Sequence, residues 1–135
     1  MARWLVKTEP EEYSFQDLAR KGREVWDGVR NNLALKYMRE MKPGDEVLVY
    51  HTGNVRAVVG VARVASEPYP DPASGDPKHV VVDLEAAGAL GSPVSLAAIK
   101  ADPAFAEWLL VRNSRLSVMP VPDPLWDRII AMSAR

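Results

Sequence analysis

The stretch from Pro43 to Ala65 constrains this chain more than any other. Pro43-Gly44-Asp45 is a tight-turn signal and leads into a strand, Glu46–His51. Thr52-Gly53-Asn54 then reads as a hairpin into a second, long strand over roughly Val55–Ala65. That second strand is apolar on both faces. It also carries Gly60 in its middle, where a bulge or sharp bend suits a closed sheet.

The rest of the chain places shorter elements around this pair. Arg3–Lys7 reads as a strand ended by Glu9-Pro10, and Ser14 with Asp17 forms a capping box opening a helix. That helix directs Phe15, Leu18 and Ala19 inward, and Gly22 closes it. Glu24–Asn32 has no clean period; its Asp27-Gly28 step marks a turn, and Asn31 or Asn32 caps the next helix. Leu33, Ala34, Tyr37, Met38 and Met41 share one helical face. Glu67–Lys78, with four prolines, reads as a loop with no helix or strand of its own. Val80–Leu84 is another strand and Ser95–Ile99 a short helix. Asp102-Pro103 starts a further helix, and Ser117–Val121 is a last strand. Asp123-Pro124 repeats the cap for a closing helix with Leu125, Trp126, Ile129 and Ile130 inward. Short strands with helices between them predict an α+β domain around a small, strongly bent sheet.

Composition excludes more than it specifies. The chain has 135 residues, no cysteine and a net charge of −1. Such a length suits one domain. Disulfide scaffolding, thiolate catalysis and cysteine-ligated metals are excluded. His51 and His79 alone leave little for a histidine metal cage, so neither a metal nor a cofactor is expected. No run is long enough to span a membrane, and a cytoplasmic protein is expected by default. Near-neutral charge argues against a protein that coats nucleic acid through a broad phosphate-binding surface.

No phosphate loop, nucleophile elbow or dinucleotide fingerprint is present. His51 could act as a general base oriented by Asp27 or Glu9, although a hydrogen-bonded structural role suits it better. Binding has more material. Polar and aromatic residues gather at the ends of elements: Lys7-Thr8-Glu9, Trp26 to Asn31, Tyr50-His51-Thr52, Tyr69, and Arg112 to Ser117. Trp108 and Trp126 read as core. Trp26 precedes a turn among Asp27, Arg30 and Asn31, which suits a flat polar ligand such as a nucleobase. A plug for one end of the barrel is the simpler role for the same side chain.

Trp4-Leu5-Val6-Lys7-Thr8-Glu9-Pro10, then Trp26-Asp27-Gly28-Val29-Arg30-Asn31, then Gly44-Asp45 with Tyr50-His51, resemble the signature of the EVE domain family. Val59-Gly60-Val61-Ala62 leading into Tyr69-Pro70-Asp71-Pro72 continues the series. So do Leu110-Val111-Arg112 and Arg115-Leu116-Ser117-Val118-Met119-Pro120. Five blocks in order cover nearly the whole chain, as a single domain over 1–135. The resemblance implies a PUA-like fold, a small bent mixed β-barrel of about five to six strands with surrounding helices. It also implies a non-catalytic reader of modified bases, chiefly methylated or hydroxymethylated cytosine, in DNA rather than RNA.

Carried over by motif, Trp26 is the main wall of a base pocket and Tyr69 the opposite wall. Lys7, Thr8, Glu9, Asp27, Asn31 and Ser117 supply hydrogen bonds, with Tyr50 and His51 beside the same mouth. Arg30, Arg112 and Arg115 hold phosphate or sugar. The chain departs from the family at Asn31-Asn32, where Asn-Tyr is common, and at His51-Thr52, where His-Ser is common. The expected partner is nucleic acid bound by a monomer, with no membrane. A small-molecule or nucleoside-binding protein is the alternative, followed by a hydrolase using His51.

Overall fold

A computed structural model describes residues 2–134. Seven strands and five α-helices are described, beginning with β1 (Arg3–Thr8), α1 (Phe15–Lys21), β2 (Arg23–Trp26), α2 (Asn32–Glu40), β3 (Glu46–His51), β4 (Ala57–Val64) and β5 (Tyr69–Pro70). Then come β6 (Val80–Ser95), α3 (Leu96–Ala101), a 3₁₀ turn at Pro103–Phe105, α4 (Leu109–Arg112), β7 (Val118–Pro120) and α5 (Asp123–Ser133). Six strands form one curled mixed sheet in the order β2-β6-β4-β3-β1-β7, and β5 pairs separately with β6. Among the described residues no helix is long and apolar enough to cross a membrane.

The predicted hairpin forms as β3–β4, and it lies at the centre of this sheet. Its ladder slips between Val49 and Tyr50, and the β4–β6 ladder slips near Gly60 and again after Val61. Each slip adds twist and bends the strand. Gly60 has a second role. A Cβ there would lie 2.5 Å from the Phe15 ring, so only glycine leaves room for α1 to seat on the sheet. α1 itself forms as its capping box requires: Asp17 N–H donates to Ser14 Oγ at 3.0 Å, and Ser14 N–H donates to the Asp17 carboxylate at 2.9 Å.

A buried carboxylate ties two interior strands together. Asp45 is buried and accepts from Trp4 Nε1 at 2.9 Å, Lys42 N–H at 3.0 Å and Ala2 N–H at 3.2 Å. It thereby ties the start of β1 to the turn before β3. β1 and β3 run parallel, whereas every other pair in the main sheet is antiparallel. Helix α2 buries Ala34, Leu35 and Met38 and packs on both β6 and β7, covering the side the sheet leaves open.

Several expectations need correction. Arg23–Trp26 is a strand, paired residue by residue with Val82–Glu85. Tyr69 and Pro70 pair with Val81 and Val80, so the proline-rich segment does contribute a short strand. The strand predicted to end at Leu84 continues to Ser95. Ala19 and Ile130 face solvent. Pro122 occupies the N-cap of α5, with Asp123 already inside the helix and making no side-chain cap.

The contact between Gly60 and Phe15 generates a stability prediction. Gly60→Ala should destabilise the protein by about 1–3 kcal/mol through overpacking, read as a lower urea midpoint. An unchanged midpoint would show that α1 can back away from the sheet at no cost.

Candidate functional site

Parallel pairing puts the C-terminal ends of β1 and β3 side by side, with Thr8 opposite His51. Beside that end a cavity of about 470 Å³ opens. Lys7, Thr8 and Glu9 line one side, and Glu24 through Arg30 line the other. Glu12 and Tyr13, from the turn before α1, and Ser117, from the approach to β7, complete the lining.

Local chemistry explains each wall. Trp26 ends β2, and Gly28 follows at φ 80°, a left-handed conformation that lets the chain turn away at once. The indole is largely buried, and the Tyr13 ring meets it edge-on, with centroids 6.2 Å apart and planes at 76°. Thr8 Oγ1 donates to the Tyr13 carbonyl at 2.6 Å, which fastens the intervening turn to the end of β1. Lys7 N–H donates to the Ser117 carbonyl at 2.9 Å, and Lys7 Nζ donates to the Ser114 carbonyl at 3.0 Å. Those two bonds hold the segment before β7 against the site. Burial lowers the pKa of this lysine.

The lining is rich in acceptors. Glu9, Glu12, Glu24 and Asp27 stand against two cations, Lys7 and Arg30. Glu24 accepts from Lys21 Nζ at 2.8 Å and from Val25 N–H at 2.9 Å. The lysine bond, ahead of other causes, holds its carboxyl below the usual range. The Tyr13 hydroxyl is shut off from solvent beside Glu24 without closing a well-formed hydrogen bond. Desolvation, then the Glu24 charge, push its pKa up. Arg30 Nη1 donates to the Val29 carbonyl at 3.0 Å, and its Nη2 lies 3.7 Å from the buried Asp71 carboxylate.

Of the residues named from the sequence, Trp26, Lys7, Thr8, Glu9, Asp27, Arg30 and Ser117 meet in this cavity. The other six lie outside its lining. The Asn31 side chain caps α2 by accepting from Ala34 N–H at 3.0 Å. Tyr50 is buried, with Lys7 Nζ 5.6 Å from its ring centroid. His51 is buried and accepts from Phe15 N–H at 2.9 Å through Nε2, which makes it an anchor for α1. Tyr69 donates to Asp83 at 2.6 Å, a bond that pushes its pKa up to about 12, and Arg23 grips the same carboxylate. Arg112 ends α4 and Arg115 lies in the following turn, both exposed. Sequence reasoning missed Glu12, Tyr13 and Glu24. Tyr13 directly precedes the capping box, but nothing local marks it as facing a cavity.

A curled mixed sheet flanked by helices, with an acceptor-rich, aromatic-walled cavity at one end, is a domain of PUA-like architecture. The family model of the EVE domain matches residues 2–132, and the chain belongs to that family. A solved protein from Rhodopseudomonas palustris is 41% identical, with a TM-score of 0.94 over 99% of this chain and 94% of its own. Human thymocyte nuclear protein 1 is 26% identical over 98% of this chain and 74% of its own length. Human THYN1, crystallised with DNA containing 5-methylcytosine, superposes with a TM-score of 0.91 at 25% identity, covering 100% of this chain and 99% of that one. An ASCH protein from Zymomonas mobilis shares the fold at 13% identity, with a TM-score of 0.61 over 97% of this chain and 95% of its own.

The place of His51 carries a pH prediction. Burial lowers its pKa, so the unfolded chain takes up a proton near pH 6.5 that the folded chain still refuses. Stability is therefore full above about pH 6.5 and falls as pH drops below it, by up to about 1.4 kcal/mol per pH unit. His51→Gln keeps an acceptor for Phe15 N–H and should flatten this segment of the urea-midpoint profile. Superimposable slopes for the two proteins would assign the titration elsewhere.

Proposed function

We propose that this cavity receives one unstacked base of a nucleic acid, with a methylated or hydroxymethylated cytosine in DNA as the preferred ligand. The observation that carries the reading is Trp26: an indole walling a cavity whose rim is polar on both sides. Its family relative's capture with 5-methylcytosine DNA supports the choice of ligand. No covalent step is involved.

The physical steps derive from the lining. A base leaves its stack at a cost of roughly a few kcal/mol. Stacking on Trp26 returns about 1–3 kcal/mol. Glu9, Glu12, Glu24 and Asp27 are acceptors for an exocyclic amino group, the pairing that carboxylates make with the cytosine amino group. The same carboxylates repel phosphate, so the backbone stays at the mouth while the base enters. Arg30, Arg112 and Arg115 are exposed and contact the backbone there. A methyl group in a fitted slot discriminates by about 1–3 kcal/mol, so selectivity is modest. With few phosphate contacts, the dependence on salt is shallow.

Trp26→Leu keeps the volume apolar but removes the stacking face. It should weaken binding to a 5-methylcytosine oligonucleotide by about 5- to 100-fold, in fluorescence anisotropy, while the far-ultraviolet circular dichroism stays unchanged. A variant that binds and discriminates like the wild type would sink the assignment. Thermal shifts separate the classes of ligand: a free nucleoside that raises the melting temperature as much as the oligonucleotide does identifies a nucleoside-binding protein instead.

A further inference from the structure

Beside the base cavity lies a loop of opposite character. It runs from Thr52 to Arg56 between β3 and β4, and it is tied to the cavity rim. Thr52 N–H donates to the Thr8 carbonyl at 3.0 Å, and Thr52 Oγ1 donates to the same oxygen at 3.4 Å. A Cβ on Gly53 would lie 2.9 Å from the carboxylate of Glu9, so the loop backbone touches a residue that lines the cavity.

Three observations set this loop apart. Val55 is 47% exposed, the most exposed large apolar side chain among the described residues, and it follows directly on the turn at Gly53-Asn54. Arg56 holds a left-handed backbone at φ 45°, the only non-glycine residue described to do so, a conformation that disfavours a side chain. Its carbonyl is fixed by Leu96 N–H at 2.8 Å. A shallow cavity of about 390 Å³ separates the loop from the start of α3. Arg56 and Lys100 are the charged groups in its lining, with no carboxylate, and neither forms an ion pair among the described residues. The acidic cavity thus borders a cationic surface topped by an exposed valine.

We propose that Thr52–Arg56 is the element that holds a DNA duplex open when its base is taken out. Val55 enters the gap the base leaves, and Arg56 and Lys100 hold phosphates of the flanking strand. The inference rests on the base-binding reading and adds a duplex-specific surface to it. An extracted base leaves its neighbours without a stacking partner, and proteins that unstack DNA fill such steps with apolar side chains. The charge division fits the same task, because phosphates are repelled from the base cavity and attracted to the loop beside it.

The test uses one strand with a single 5-methylcytosine, alone and annealed to its complement. Val55→Ser alters an exposed side chain and should leave the melting temperature unchanged. It should weaken duplex binding by about 5- to 20-fold and leave single-strand binding within about twofold, since a single strand has no gap to fill. A 2-aminopurine beside the 5-methylcytosine in the duplex should brighten with the wild type and stay dark with Val55→Ser. Arg56→Asn combined with Lys100→Gln should flatten the salt slope on the duplex by about 2. Equal losses on both substrates, or no loss on either, would overturn the loop's role while leaving the base reading intact. Failure of the wild type to bind either substrate would overturn both.

Discussion

The ring of Phe15 against Gly60 is the contact on which the rest depends. The sheet must bend at Gly60 to curl, and the missing side chain there is what admits the aromatic ring. His51 holds the same residue from the other side by accepting its backbone N–H. Seated this way, α1 fixes the turn that precedes it, which carries Glu12 and Tyr13, and the strand after it, which ends in Trp26. The Glu12-Tyr13 and Trp26 parts of the lining therefore descend from one helix start. Since Phe15 is buried, its displacement would expose a large apolar side chain and undo those parts of the lining together.

Where side chains satisfy the backbone locally, the sequence is legible. The capping box at Ser14 and Asp17, the Asn31 cap and the Ser95 cap each use donors within three residues, so short-range spacing announces them. The middle of β6 is the opposite case. Ala86, Gly88 and Ala89 have poor strand propensity, and they are extended because β4 supplies partners on both sides of a register slip. A four-residue strand such as β2 likewise exists only through its pairing with β6. Neither fact can be read without knowing which strands lie side by side.

The site divides along the same line. Lys7-Thr8-Glu9 and Trp26-Asp27 are marked by their position at element ends and by family motif, and they face one another across the cavity. Glu24 enters from a strand the sequence does not announce. Asn31 shows the limit of motif reasoning in another way: the same side-chain oxygen suits a base edge or a helix cap, and the cap is nearer. Tyr69 is drawn off in the same manner, since Asp83 and Arg23 form a closed polar cluster with it.

A net charge of −1 hides this separation. Averaged over the surface it suggests indifference to nucleic acid, yet charges act locally, because salt screens them beyond about 10 Å. Four carboxylates crowd the cavity, while the neighbouring groove at Arg56 and Lys100 holds none. Under the proposed function, that arrangement would sort the parts of a nucleic acid, drawing an amino-bearing base inward and leaving the phosphates outside. A uniformly basic surface would bind such a polyanion more tightly but would hold its backbone against the opening of the cavity.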